Sequence, residues 1–392
     1  MTNNILPRGY KDSPLGIIPK EWEVKRILDF APLQRGFDLP TDKIISGKYP
    51  VVYSNGILNH HCECKAKGPG VVTGRSGTIG KVTYVESDYW PHNTSLWVTD
   101  FCGNNPKFVF HVYQYIDLAK FASGSGVPTL NRNDVHVSKV AVPPKQEQNR
   151  IVEVLELWDT AIEKQSELIE KLKLRKRALM QQLLTGKKRL IGFSEEWKRI
   201  KLGDIAERIT RKNEEDNKSV VTISAQRGFV VQTDFFNKSV ASETLDNYFL
   251  VHRDEFCYNK SYSNGYPMGA IKRLKSFDKA VVTTLYICFK LKNMVSVNID
   301  FFEQYCESGI FNKELVKVAN EGGRAHGLLN VTPADFFNMH MRIPNIDEQN
   351  AIATILVNAD KEIELANKKL NNLQSQKRGL MQQLLTGKKR VI

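Results

Sequence analysis

The chain has 392 residues, of which 41% are hydrophobic, and its formal net charge at pH 7 is +13. This length and apolar content predict two or three domains, each with its own core. The sequence shows no long apolar run and no signal-peptide pattern behind Met1, so we expect neither a membrane-spanning nor an exported chain. Its six cysteines fit reduced thiols and a cytoplasmic location better than a disulfide framework. The basic charge favours a polyanion such as nucleic acid as partner over an ordinary solvated surface.

The first part of the chain, from Trp22 onward, predicts a sheet-containing domain. Short β-branched and aromatic runs between glycine turns predict strands at Val71 to Thr73, Lys81 to Val85 and Leu96 to Thr99. A helical stretch follows at about Phe108 to Phe121, and a glycine-rich loop comes after it. The order of these elements predicts an α/β core.

Two polar loops of this domain carry side chains suited to DNA. The segment 74–81 does not match a nucleotide phosphate loop, because five residues separate its outer glycines and valine follows its lysine. We expect it to lie against a DNA backbone or base edge, with an ordinary tight turn as the alternative. The segment 93–95 suits adenine or phosphate contacts, or else forms a plain polar turn. The candidates in this domain are Arg75, Ser76, Thr78, Lys81, Asn93, Thr94, Ser95 and Arg132.

Two further motifs of this domain suggest chemistry but lack the residues for it. The segment 60–64 (HHCEC) has neither the cysteine spacing nor the second ligand pair of a zinc site. The segment 105–108 (NPKF) lacks the second proline of the Asn-Pro-Pro-aromatic motif of amino-methyltransferases, and no glycine-rich cofactor loop accompanies it. Nuclease clusters of carboxylates and lysines are also missing from the sequence. We therefore predict a chain that binds, with no catalytic residue, no metal ligand and no cofactor of its own.

A long helix is predicted twice. Residues 175–191 (RKRALMQQLLTGKKRLI) and 376–392 (QKRGLMQQLLTGKKRVI) are identical at 14 of 17 positions, at an offset of 201 (376 minus 175). The same offset aligns the two copies from Pro143 and Pro344 onward, so no insertion is tolerated in either copy. Such constancy of length is typical of a helix, in which one added residue rotates every later side chain by about 100°.

Apolar residues at alternating steps of four and three give both copies the period of a coiled coil, interrupted in each by one lysine. Each helix is expected to end at Thr-Gly, at Gly186 and Gly387. The two stripes most simply pair with each other in antiparallel orientation and act as a spacer. The predicted pairing residues are Ile151, Leu155, Trp158, Ile162, Ile169, Leu172, Leu179, Leu183, Ile352, Leu356, Ile363, Leu370, Leu373, Leu380 and Leu384.

A second domain between the two helices repeats the order of the first. It opens at Trp197 as the first opens at Trp22, and its strands are predicted at Phe256 to Tyr258, Ala270 to Leu274 and Leu285 to Phe289. A helix at about residues 301–318 and a glycine-rich loop follow. The distance from tryptophan to the glutamate at the helix start is 125 residues in the first copy (147 minus 22) and 151 in the second (348 minus 197). The DNA-binding candidates here are Lys260, Tyr262, Asn264, Lys272, Arg273, Arg324 and His326.

This layout resembles the specificity (S) subunit of type I restriction-modification enzymes, in which two target recognition domains alternate with two repeated helical regions. The features that carry the resemblance are Glu147-Gln148 and Glu348-Gln349, the duplicated LMQQLLTG, and GRSGTIGKV followed by HNTSLWV. The implied domains are residues 1–142 (an N-terminal segment and recognition domain 1), 143–191 (the central helix), 192–343 (recognition domain 2) and 344–392 (the C-terminal helix). The fold class is then α/β (α+β), with two sheet-containing domains, two long antiparallel coiled-coil helices and a pseudo-twofold repeat.

The resemblance implies a non-catalytic subunit that recognises a bipartite double-stranded DNA target, one half-site per domain. The helices would set the spacer and dock two modification (M) subunits, which carry S-adenosylmethionine and methylate N6 of adenine. Two restriction (R) subunits would use ATP and magnesium for translocation and cleavage. Two alternatives stay open: a coiled-coil scaffold that joins partner proteins and whose basic surface is incidental, and an enzyme of unrecognised type.

Overall fold

The computed structural model describes residues 6–124, 126–232, 245–292, 295–321 and 329–391. The chain divides into two compact units: Met1–Ser166 with Lys368–Ile392, and Glu167–Asn367. Each unit contains one sheet-containing part and a portion of both long helices. The division into four functional domains stays a prediction, because the compact units cut across both helices rather than separating them from the sheets.

The first unit is built around an antiparallel four-stranded sheet. The strands of the whole unit are β1 (Tyr10–Ser13), β2 (Gly16–Pro19), β3 (Glu23–Arg26), β4 (Leu33–Arg35), β5 (Tyr49–Tyr53), β6 (Gly56–His61), β7 (Gly70–Gly74), β8 (Val82–Val85), β9 (Trp90–Pro91), β10 (Ser95–Val98), β11 (Ala122–Ser123), β12 (Thr129–Leu130) and β13 (Lys139–Val142). Its helices are α1 (Ile27–Phe30), α2 (Pro106–Tyr115), α3 (Arg132–His136) and the first part of α4 (Lys145–Leu183), with 3-10 turns at Thr41–Lys43 and Leu118–Phe121. The central sheet has the order β4-β10-β7-β8, and a second sheet has the order β6-β5-β9.

The second unit repeats this plan. Its strands are β14 (Lys198–Lys201), β15 (Ala206–Ile209), β16 (Val221–Ser224), β17 (Gly228–Val231), β18 (Phe249–His252), β19 (Phe256–Asn259), β20 (Ala270–Arg273), β21 (Lys279–Val282), β22 (Ile287–Leu291), β23 (Asn320–Glu321), β24 (Leu329–Asn330) and β25 (His340–Ile343). Its helices are α5 (Leu202–Ile205), α6 (Ile299–Glu307), α7 (Asn312–Val318), α8 (Pro333–Asn338) and the first part of α9 (Ile346–Leu385). The central sheet has the order β15-β22-β19-β20, which is the order of the first unit.

The predicted fold class is confirmed. The predicted strands of both domains correspond to β7, β8, β10, β19, β20 and β22. The helix predicted at 301–318 is in fact two helices, α6 and α7. Among the described strands only β5 and β9 pair in parallel, which makes the sheets those of an α+β protein.

The two long helices run antiparallel to each other within each unit. In the first unit Asp159 of α4 pairs with Lys377 of α9, and in the second Lys176 of α4 pairs with Asp360 of α9, both at 2.5 Å. These are the two lysines that interrupt the apolar stripes. Because a charge in a helix seam is costly without a partner, each pair restricts the register at which the helices meet. Every predicted pairing residue is buried or half-buried.

The ends of the long helices belong to the cores of the sheet-containing parts. One core contains Ile151 and Leu155 of α4 together with Leu384 of α9, and the other contains Leu183 of α4 together with Ile352 of α9. A helix half is therefore held by its own domain as well as by its partner helix. This explains why the compact units divide both helices.

Glycine ends both helices as predicted. Gly186 and Gly387 follow the ends of α4 and α9 with φ of +69° and +71°, in the left-handed region that favours glycine. The backbone N–H groups of Lys188 and Lys389 then donate back to carbonyls of the last turn, at 3.1 and 3.0 Å. The basic tail that follows each glycine is thereby turned back toward its domain.

Candidate nucleic-acid interface

The β7–β8 loop, residues 75–81, is held by two other segments of the first unit. The backbone N–H of Arg75 donates to the carbonyl of Thr94 at 2.9 Å, and the carbonyl of Arg75 accepts from the N–H of Leu130 at 2.7 Å. The turn before β10 and the segment before α3 thus lie on either side of the loop. These bonds fix the backbone of the loop at Arg75.

The turn of the β5–β6 hairpin completes this group. The N–H of Ser54 donates to the hydroxyl of Thr94 at 3.4 Å, and Nζ of Lys81 donates to the carbonyl of Asn55. We call the four segments, residues 54–55, 75–81, 92–94 and 126–130, the first loop cluster.

Gly74 is required at the start of the loop. A Cβ atom there would lie 1.7 Å from the carbonyl oxygen of Thr78, so the loop folds back more closely than any side chain permits. This close return is what makes the GRSG sequence a compact loop. It also leaves Thr78 exposed.

Three side chains of the loop are available to a ligand. Arg75 is half-buried, and within the described residues its guanidinium has no hydrogen-bond or charged partner. Ser76 and Thr78, which are half-buried and exposed, have unpaired hydroxyls in the same part of the chain. A cation flanked by hydroxyl groups is suited to a phosphate or to the acceptor edge of guanine.

The hydroxyl groups of segment 93–95 form hydrogen bonds within the first unit. Ser95 is fully buried, and its hydroxyl donates to the carbonyls of His92, at 2.7 Å, and Val52, at 3.2 Å. The predicted DNA contact is therefore wrong for Ser95, because its only polar side-chain atom is buried and bonded internally. The hydroxyl of Thr94 is likewise shared between Ser54 and the ring of His92.

Asn93 and Arg132 are partly engaged within the first unit. The side-chain amide of Asn93 donates to Asp38, and the guanidinium of Arg132 donates to Gln34. Both side chains are half-buried. They keep further donors, so they stay candidates at the edge of the cluster.

The second unit repeats the arrangement at its β19–β20 loop, residues 260–269. The carbonyl of Lys260 accepts from the N–H of Leu329 at 3.1 Å, as the carbonyl of Arg75 accepts from Leu130. The amide of Gln226, in the β16–β17 turn, donates to the carbonyl of Asn264 at 2.9 Å. We call residues 225–227, 260–269 and 329–330 the second loop cluster.

Lys260 is the counterpart of Arg75. It is half-buried, partial burial lowers the pKa of its amine, and no acidic side chain of the described residues pairs with it. Tyr262 is 64% exposed, and the side chain of Asn264 is exposed as well. A cation, an aromatic ring and an amide therefore occupy one loop, which is a combination suited to nucleic acid.

Two predicted cations of strand β20, which follows this loop, form internal ion pairs. The Lys272 side chain is 8% exposed and lies 2.6 Å from Glu307. The Arg273 side chain is 12% exposed and pairs with Asp254, Asp300 and Glu303. The prediction of DNA contacts is wrong for both, because their charges are already neutralised beneath the surface.

The remaining two candidates, Arg324 and His326, lie outside the described residues.

The glutamates at the helix starts have a role that the sequence reasoning missed. Glu147 accepts from the indole N–H of Trp22 at 2.9 Å and from Arg390, and Glu348 accepts from Trp197 at 3.1 Å and from Arg189 at 2.7 Å. The hydrogen bonds to these glutamates raise the pKa of both arginines. The signal in the sequence was the offset of 201 that relates the glutamates (348 minus 147) and the tail arginines (390 minus 189) of the two copies, together with the tryptophan that opens each domain.

The glutamine that follows each glutamate joins the helix to a second element. Gln148 accepts from the backbone N–H of Asn105, and Gln349 from that of Asn298, both at 2.9 Å. The side chains of Asn105 and Asn298 in turn cap α2 and α6. The NPKF segment is thus a helix cap, and its asparagine is engaged in structure.

The HHCEC segment ends β6 and is not arranged as a metal site. His61 is buried, and its Nδ1 bonds the backbone of Ile45 at 3.1 Å. Across the described residues no three His, Cys, Asp or Glu side chains are grouped so that they could hold a metal ion. In the same part of the chain, no helix combines the length and the apolar character needed to cross a membrane.

Several known proteins that this chain resembles are specificity subunits. A family model described as type I restriction modification DNA specificity domain matches residues 19–174. The type I restriction enzyme MjaVIII specificity subunit of Methanocaldococcus jannaschii is 24% identical over 300 residues, 68% of this chain and 66% of that protein. The putative MjaX specificity subunit of the same organism is 24% identical over 97% of both chains. The aligned part thus spans slightly less than two thirds of the first relative.

The fold is also that of a solved structure. The S subunit of a type I restriction-modification system from M. genitalium superposes with a TM-score of 0.55, at 15% identity, over 93% of this chain and 96% of that one. At this identity the likeness concerns the fold.

Proposed function

We propose that this chain, which belongs to the type I restriction-modification specificity subunits, recognises a bipartite DNA target, with one loop cluster at each half-site. The observation that carries the proposal is the shared position of Arg75 and Lys260. Both follow an inner strand of their four-stranded sheet, β7 or β19. Both are anchored through their carbonyl by a leucine N–H, and both lack an acidic partner among the described residues. Both half-sites of a duplex carry phosphates, so an unpaired cation in each domain can contact one of them.

The charge of the chain supports the same partner. The net charge of +13 attracts DNA at long range, and the unpaired cations supply short-range contacts to phosphate or base edges. The side chains beside the two cations differ. Arg75 has hydroxyl groups next to it, whereas Lys260 has an aromatic ring and an amide. We expect this difference to give each domain its own half-site.

The chain acts without catalysing a reaction. We propose that α4 and α9 set the spacer between half-sites and dock two M subunits, and that two R subunits join the assembly. S-adenosylmethionine would be bound by the M subunits, and ATP with magnesium would be bound by the R subunits. Methylation requires the adenine to leave the duplex, so the chain would hold the flanking DNA while an M subunit flips the base.

The test is selection from a library of duplexes with randomised sequence. The full-length chain is mixed with the library, by itself and together with a type I methyltransferase subunit, and the bound duplexes are sequenced. Enrichment of one split motif with an unselected gap supports the proposal. A flat library with intact binding of the methyltransferase favours the scaffold, and methyl transfer by the chain without a partner favours an enzyme.

A further inference from the structure

We infer that the turns of two equivalent hairpins, β5–β6 and β16–β17, recognise bases, and that Asn55 and Gln226 are their specificity-determining side chains. The inference rests on the proposed function and extends it to residues that the loop sequences do not single out. It assigns each of these amides to an A·T base pair.

The two hairpins occupy the same place in their units. In the first unit β5 pairs antiparallel with β6 and parallel with β9. In the second β16 pairs antiparallel with β17, and the adjoining Val220 forms a parallel bridge to Val281 of β21. Both turns contact the loop that bears the unpaired cation, through Lys81 in the first unit and Asn264 in the second.

The turn of the first hairpin has a fixed backbone and a free side chain. The N–H of Ser54 and the carbonyl of Asn55 are bonded to neighbouring loops, and the ring of Tyr53 lies 4.3 Å from the ring of His92. The side chain of Asn55 is exposed and has no partner among the described residues. Its amide is therefore presented on a rigid support.

The turn of the second hairpin is anchored in a similar way. The side-chain amide of Asn259 donates to the carbonyl of Ile223 at 3.2 Å, at the end of β16. Gln226 is exposed and uses one amide hydrogen on Asn264. Its second amide hydrogen and its side-chain carbonyl remain for a ligand.

A carboxamide on a rigid turn matches adenine. In the major groove adenine offers an acceptor at N7 and a donor at N6, and the amide of Asn or Gln pairs with both at once. No other base edge offers this combination in the major groove. Because the backbone of the turn is already fixed, little conformational entropy is lost on binding.

Three single variants of the full-length chain test the inference, with the methyltransferase subunit present. Asn55→Ala should lower discrimination at one A·T pair of one half-site by roughly 5- to 100-fold, and Gln226→Ala should do so in the other half-site. Asn59→Ala is the matched control. Asn59 is an exposed asparagine on the same hairpin, and its amide bonds Tyr53 within the chain, so this variant should keep the wild-type motif.

The readout is the preference at each position of a randomised duplex library. Unchanged preferences in Asn55→Ala and Gln226→Ala would overturn the inference, and so would an equal loss of affinity for every sequence, which indicates a phosphate or structural role. A wild-type chain that enriches no motif would overturn the proposed function and this inference with it. A wild-type motif that both variants preserve would overturn the inference only.

Discussion

The helix ends of the two units repeat almost contact for contact, whereas their loop clusters repeat only in outline. Trp22, Glu147 and Arg390 in one unit match Trp197, Glu348 and Arg189 in the other. The loop clusters share a cation at one position, the leucine N–H that bonds its carbonyl, and a hairpin turn beside it. The helix ends need fixed geometry because they bury charge, while a surface loop needs only a stable anchor and free side chains.

The same comparison explains why similar residues have different roles. Arg75 and Lys260 have no acidic neighbour among the described residues, but Lys272 and Arg273 face three carboxylates of α6, Asp300, Glu303 and Glu307. A basic residue in or beside a loop is thus either without an acidic partner or part of an internal ion pair. The position of the following helix decides which it is.

The largest effect is expected at the buried glutamates. Glu348→Ala leaves Arg189 and the indole N–H of Trp197 without their acceptor and should destabilise the second unit by about 3 to 4 kcal/mol. Glu147→Ala should cost the first unit less, because Arg390 also pairs with Glu21. Native-state hydrogen exchange can measure the loss in each unit separately. Equal protection in wild type and both variants would contradict the role of these contacts.

A second difference concerns pH. Burial, reinforced by the charge of Lys377, lowers the pKa of His111 to about 4, whereas the equivalent position in α6 is Gln304. The equivalence follows from the caps, since each residue lies six positions after its capping asparagine (111 minus 105, and 304 minus 298).

His111 should therefore weaken the first unit in acid. Its folded pKa is below the unfolded value of 6.5, so the unfolded chain takes up the proton first as pH falls. The free energy of unfolding should drop by about 3 kcal/mol from this group between pH 7 and pH 4. His111→Gln should remove that part of the pH dependence in denaturant titrations. Parallel pH curves for wild type and variant would show that the histidine titrates normally.

Arg75 and Lys260, the unpaired cations of the two loop clusters, should contribute equally to the salt dependence of DNA binding. If each contacts one phosphate, Arg75→Ala and Lys260→Ala should each reduce the slope of log K against log salt by about 1, and the double variant by about 2. Lys67→Ala is the control, because this exposed lysine already pairs with Asp88 at 2.8 Å. Fluorescence anisotropy with a duplex probe at several salt concentrations gives the slopes. An unchanged slope in either variant would exclude a phosphate contact by that residue.

The smallest effect is expected at a difference between the repeated helices. Gly379 of α9 stands where α4 has Ala178, and a Cβ added at Gly379 meets no atom within 4 Å. Gly379→Ala should therefore stabilise the first unit by about 1 kcal/mol, and Ala178→Gly should destabilise the second by a similar amount. Thermal unfolding of the two variants would show shifts of opposite sign. Shifts of the same sign would mean that contacts outside the helices outweigh helix propensity at these positions.

Much of the architecture follows from periodicity in the sequence. The repeat at an offset of 201 and the coiled-coil stripe predicted both helices, their ends at glycine and the residues between them, because helix geometry depends on local spacing. The six strands were predicted because their residues alternate or run apolar between turns. The split between α6 and α7 was missed although Ser308-Gly309 marks it, because Gly309 has a φ of +73°, in the left-handed region that ends helices.

The sequence by itself determined that this protein has two related domains on two repeated helices, with a basic charge and no evident catalytic centre. Only the tertiary structure decided which polar residues are available for binding. Ser95, Lys272 and Arg273 were as plausible as Arg75 and Lys260 in the sequence, but they are buried or paired with groups from distant parts of the chain. Asn55 and Gln226 belong to no recognisable sequence motif. Their proposed role depends on turns that pack against loops far away in sequence. Local spacing encodes helices and strands, whereas the free energy of a charge depends on every group that the fold places around it.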